Sequence, residues 1–149
     1  MQDSKGGARK TIERVRMSEN LWRILIALGI AGHGIGHLFY LVPTLSLADW
    51  GLTGGSWLLG GHVPDVAVKI VGGALWLAAL VGFVVASVGL WGRQEWCRSA
   101  VVVSSAVSLL GQPFFAQASQ PFLSAGAMDV IILVALVLAH WPSAELMGS

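Results

Sequence analysis

Four apolar stretches, at about 21–42, 66–91, 97–118 and 122–141, dominate this chain. A helix needs about 20 mostly apolar residues to cross a bilayer, and each stretch meets that length. Only helices and closed barrels satisfy their backbone polar groups inside lipid. The expected fold is therefore all-α, an integral membrane four-helix bundle. Composition agrees: 55% of residues are hydrophobic and 11% charged, where a soluble domain has about 25% charged residues. The division expected is a mobile basic arm at 1–19, a four-span domain at 20–142 with a loop at 43–65, and a short tail at 143–149.

Proline and charge set the borders and the direction. Pro43, Pro64, Pro121 and Pro142 fall between or beyond the stretches, where a missing N–H does little harm. Pro113 lies late in the third stretch and predicts a kink or an early end that frees the carbonyl of Leu109. Lys5, Arg9, Lys10, Arg14, Arg16 and Arg23 precede or open the first stretch, and Arg93 and Arg98 follow the second. Lys/Arg-rich loops stay cytoplasmic, which places both termini inside. Trp22, Trp91, Trp96 and Trp141 then form an inner interfacial belt, with Trp50 and Trp57 near the outer interface. The first run is too long for a cleaved signal's apolar core, so it is expected to stay as a span. The loop at 43–65 is expected as an interfacial anchor, with a lid over the bundle as the alternative. The basic arm points to an anionic leaflet and not to nucleic acid. Cys97 is the one cysteine and forms no intramolecular disulfide.

The first stretch contains Gly32-His33-Gly34-Ile35-Gly36-His37. Ionisable residues at that depth are costly, and they mark functional sites by default. Positions three and four apart share a helix face. By that rule Gly29, His33, Gly36, His37 and Tyr40 form one stripe, and Lys69, Gly72, Gly73, Trp76, Leu80 and Phe83 another. Ser105, Ser108 and Gln112 form the third, and Ala125, Asp129, Leu133, Leu136 and His140 the fourth. At 1.5 Å per residue, His33 lies about 14 Å below the outer end of its span, His37 about 7 Å, Asp129 about 10 Å, Gln112 about 9 Å and Lys69 about 4–5 Å. All four spans thus place a polar group in one outer layer.

Three chemistries fit that layer and stay open. His33, His37 and Asp129 match a two-His, one-carboxylate metal set. The same residues, supported by Gln112 and Lys69, match a pocket for a quinone or another small ligand that exchanges protons. They also match a purely structural hydrogen-bond network. Axial ligands of a bis-His haem must oppose each other, which two histidines one turn apart on one helix do not. No Glu follows His33, so a metalloprotease signature is absent. His62 reads as a solvated loop residue, and His140 is too far along its helix to join the layer. The expected cofactor is a metal ion or a quinone; the expected partners are the bilayer and a membrane protein or a second copy. A transporter is the competing class, but the inner half of the predicted interior is mainly Leu, Val, Phe and Ser, which argues against an open polar path. A structural subunit that docks a neighbour through its small-residue faces is the third.

Arg23-Ile24-Leu25, Gly32-His33-Gly34-Ile35-Gly36-His37-Leu38, Gly72-Gly73-Ala74-Leu75-Trp76-Leu77 and Met128-Asp129-Val130-Ile131 together loosely resemble small bacterial four-span membrane proteins of the DoxX-like kind. That resemblance implies a redox- or quinone-linked accessory subunit in the cytoplasmic (inner) membrane of a prokaryote.

Overall fold

The computed structural model describes residues 3–52, 54–115 and 120–147. Every regular element among them is helical. Helix α1 (Asp3–Gly36) is followed after one turn residue by α2 (Leu38–Thr44). Then come α3 (Asp65–Trp91), α4 (Cys97–Phe115) and α5 (Gln120–Leu133), a π-helical turn (Val134–Leu138) and a short α6 (Ala144–Met147).

The first helix starts well before the apolar run. Residues 3–19, expected as a separate polar arm, continue the helix of the first span without a break. Ala8, Arg9, Lys10, Glu13, Arg14, Arg16 and Met17 are strong helix formers, so the segment extends a helix already nucleated by packing. At His37 the amide bonds back to Gly34 O at 3.0 Å, a three-residue spacing that tightens the turn between α1 and α2. Pro113 does not end α4, which runs on to Phe115. Residues 116–118, expected at the end of the third span, lie outside the described residues, as do residues 1–2 and 148–149 and Thr53 in the loop.

Two helices are long and apolar enough to cross a membrane by length and composition, Arg14–Thr44 and Asp65–Trp91. Ser124–Leu138 is apolar but shorter. In α4 the buried serines Ser104, Ser105 and Ser108, with Gln112, dilute an otherwise apolar helix of 19 residues.

The helices pack in sequence, α1 and α2 on α3, α3 on α4, and α4 on α5. The backbones of α1 and α5 barely approach each other, so the ring is closed there by side chains. Gly34 lets α1 and α3 approach closely, because a Cβ on it would lie 2.6 Å from the Phe83 Cβ. Ser87 Oγ donates to Ala27 O across the same pair at 2.8 Å. Gly29, Gly32 and Gly36 have open space where a Cβ would stand, so they are not packing glycines.

Two apolar clusters flank the middle of the bundle. One gathers Ala27, Ile30, Ala79, Phe83, Ala86, Leu90, Val101, Leu136 and Met147. The other gathers Tyr40, Leu41, Val68, Trp76 and Phe115. The end of the first cluster is closed by the C-terminal turn. Arg23 Nε donates to Leu146 O and an Arg23 Nη to Glu145 O, both at 3.0 Å, while Cys97 Sγ donates to Met147 O at 2.8 Å. Arg98 donates to Leu136 O inside the π-helical turn, where wider helical spacing leaves carbonyls without their usual amide.

Burial runs opposite to that of a soluble bundle. Large apolar side chains stand exposed on each long helix, among them Leu28, Ile70, Val81, Val103, Leu110 and Ile131. Polar and charged side chains lie inside: Arg23, His37, Ser105, Ser108, Gln112 and Asp129. Of the seven tryptophans only Trp76 is buried. Of the other six, Trp22 is exposed midway along α1, and the remaining five sit near helix ends or in the loop.

Candidate functional site

Between the two apolar clusters, three helices contribute to one polar chain. His33 in α1 and His37, the turn residue between α1 and α2, are one turn apart, and both rings meet Phe83 of α3. Ser108 comes from α4 and Asp129 from α5. His33 Nε2–H donates to Asp129 Oδ1 at 2.7 Å. Ser108 Oγ donates to Asp129 Oδ2 at 2.5 Å. His37 Nε2 and Ser108 Oγ share a hydrogen bond of 2.8 Å, and His37 Nδ1–H donates to the His33 carbonyl at 3.1 Å. Asp129 and Ser108 are fully buried and His37 is 1% exposed, whereas His33 keeps 10% of its side-chain surface.

Aromatic rings wall the chain. Phe83 stacks on His37, with ring centroids 5.5 Å apart, and meets His33 edge-on at 4.8 Å. Trp76 and Tyr40 stand 6.0 and 6.1 Å from the His37 ring. Gly34 lets Phe83 come this close, so the helix-packing glycine also positions the wall.

The four bonds constrain the protons. Each link needs one hydrogen. A neutral His33, a neutral His37 and the Ser108 hydroxyl supply three, and an ionised Asp129 supplies none. Completing the chain takes a fourth proton, either on His37 or on Asp129. Both placements leave the cluster with no net charge, which is what a low-dielectric interior favours. Moving the Asp129 proton onto Ser108 Oγ while the Ser108 hydrogen passes to His37 Nε2 interconverts the two without moving a heavy atom. The geometry thus accommodates one proton shared along the cluster.

A cleft of about 230 Å³ opens beside this chain. His33, Gly36, His37, Phe39 and Tyr40 line one wall, and Ser124 and Ala125 of α5 line the other. It lies in the seam where the α1 and α5 backbones stay apart. A second, smaller cavity of about 80 Å³ lies in the same seam nearer the C-terminal turn, walled by Ile26, Ile30, Ile132, Leu136 and Met147. The seam is polar at one end and apolar at the other.

The structure brings three of the expected site residues together. His33, His37 and Asp129 each offer a ligand atom, all within 4.8 Å of one another. Gln112 lies one turn from Ser108, with its side chain 3.6 Å from where a Cβ on Gly126 would stand, and its Nε2 is buried without a partner among the described residues. Lys69 is exposed and lines a different cavity with Asp65, Ser46 and Ser56. His62 and His140 are exposed, apart from the cluster. Ser108, which was not among the expected site residues, bridges Asp129 and His37. Its place in the same stripe and layer as Gln112 was the available signal. The ring wall of Phe83, Trp76 and Tyr40 had no signal beyond its inward stripes.

The same three ligand atoms suit a metal ion, at the cost of the proton chain. A coordinating imidazole must present a lone pair and a carboxylate must be ionised, so an ion would displace the protons now held between His33, Asp129, Ser108 and His37.

The chain matches no protein-family model, no curated protein and no solved structure.

Proposed function

We propose that this chain is an integral membrane protein that crosses the cytoplasmic membrane of a prokaryote four times, both termini inside, and binds a quinone-class lipid as a small redox-linked accessory subunit. The exposed apolar helix faces, the buried polar stripe and the tryptophans near the helix ends support the membrane part of this reading.

The observation that carries the quinone reading is the cleft between α1 and α5, with a one-proton cluster in its wall. A quinone has an apolar tail, a flat ring and carbonyl oxygens that take up protons on reduction. In the seam, the ring would occupy the polar end and the tail the apolar one. His33, the least buried member of the cluster, would meet a quinone oxygen and pass on a proton, with Asp129, Ser108 and His37 redistributing charge behind it. The electrons would come from a partner in the same membrane.

A metal centre is the second reading, favoured by the close approach of the His33, His37 and Asp129 ligand atoms. One experiment separates the two. The full-length protein, purified in detergent, is analysed for metal and bound quinone and then titrated with a short-tailed quinone, beside a His33→Ala/His37→Ala variant. Quinone binding that weakens at least about tenfold in a folded variant, with no stoichiometric metal, is the expected result. One metal ion per chain, lost in the variant and accompanied by no quinone binding, overturns the quinone reading in favour of the metal centre.

A further inference from the structure

A further cavity lies apart from the histidine cluster, where α1 meets the end of α3. It has a volume of about 240 Å³ and is lined by Asn20, Arg23 and Ile24 of α1 with Trp91 and Arg93 at the end of α3. We infer that this cavity binds the headgroup of an anionic phospholipid.

Charge makes the first argument. Two guanidinium groups line the cavity and no carboxylate does. Arg23 is 8% exposed, and its described bonds go to the Leu146 and Glu145 carbonyls. Carbonyl oxygens orient the group without neutralising it. Arg93 sits at φ 56°, just past the end of α3, where its Nη2 donates to Asn20 Oδ1 at 3.0 Å. An amide likewise orients without cancelling charge. Neither arginine forms an ion pair with the described residues. Two guanidiniums with no carboxylate partner among the described residues suit a phosphate, which accepts several charge-assisted bonds.

Position makes the second. Helix α3 has 27 residues and is about 40 Å long, close to the 40–45 Å of a bilayer with its headgroups. In the membrane orientation proposed above, on which this inference rests, Trp91 and Arg93 at its end lie at headgroup level. Trp91 and Ile24 are exposed apolar walls that face the same cavity. A phosphate bearing acyl chains meets both the basic mouth and the apolar wall, while free phosphate uses only the first. Basic pockets between spans on the cytoplasmic side bind anionic lipid in this way.

The test uses the full-length protein in neutral detergent and counts bound lipid by native mass spectrometry. Phosphatidylglycerol, phosphatidylcholine and inorganic phosphate are the probes. Arg93→Gln removes a lining charge, and Arg16→Gln removes an exposed arginine on α1 that does not line the cavity. The expected result is one retained phosphatidylglycerol, a clear preference over phosphatidylcholine, and a loss of about fivefold in Arg93→Gln but not in Arg16→Gln. Inorganic phosphate in excess leaves the lipid bound. Equal losses in the two variants would show diffuse attraction to the basic end and overturn the site. Displacement of the lipid by inorganic phosphate would also overturn it, assigning a free-phosphate site instead. Melting curves of both variants confirm that the protein remains folded.

Discussion

His33 and Asp129, 96 residues apart, form a 2.7 Å hydrogen bond across the seam where the α1 and α5 backbones do not pack. This bond joins the ring of helices and at the same time forms the exposed end of the proton chain. A site that closes the bundle and borders a cleft has to stay intact while a ligand enters. The second carboxylate oxygen, held by Ser108, provides that stability.

Asp129→Asn should separate chemistry from scaffold. The amide keeps the shape and most of the hydrogen bonding but cannot hold the exchangeable proton. Quinone binding is expected to fall at least about tenfold, with a melting-temperature change of no more than about 4 °C. Parallel losses in a titration and a melt would make Asp129 a structural residue.

Ser108→Ala should act mainly on stability. It strands Asp129 Oδ2 and His37 Nε2 inside the bundle while leaving the His33–Asp129 bond in place. A buried polar atom without a partner costs about 1–3 kcal/mol. Thermal unfolding in detergent is the check, and an unchanged melting temperature would mean the two groups find other partners.

Two glycines two positions apart should respond oppositely to alanine. At Gly34 the new Cβ meets Phe83 and the α3 backbone, so Gly34→Ala should destabilise by about 1–3 kcal/mol and shift the ring wall. At Gly32 the Cβ enters open space, and Gly32→Ala should stabilise the helix by up to about 1 kcal/mol. A pair of melts decides the matter; similar effects would show that helix propensity outweighs packing at both positions.

Topology is open to labelling. In a Cys97→Ser background, Ser46→Cys should react with a membrane-impermeant maleimide on intact cells, whereas Ser18→Cys should react only after lysis. Both positions are exposed in the fold, so protection reports the membrane side and not burial. The reverse pattern would invert the orientation, and equal reaction would exclude an odd number of crossings between them.

Much of this arrangement was legible in the order of residues. Apolar run length located the main helices, and the i, i+4 spacing of His33 and His37 placed both rings on one helix face. Depth reckoned at 1.5 Å per residue put Asp129 near their level. Lys69 entered the same reckoning through its stripe and its depth, yet it stands exposed beside another cavity, because it lies only one turn into α3, at the end of the bundle.

By itself, then, the sequence determined what is periodic and local: helices, their approximate limits, and which polar groups share a face. Tertiary structure decided what depends on pairing between distant segments. It selected Gly34 as the close-packing glycine, left Gly36 facing a cleft, made Ser108 the bridge, and left α1 and α5 apart except through side chains. The physical reason is that hydrophobic periodicity is a property of one helix, whereas proton links and clefts arise where rotation and approach of several helices are fixed together.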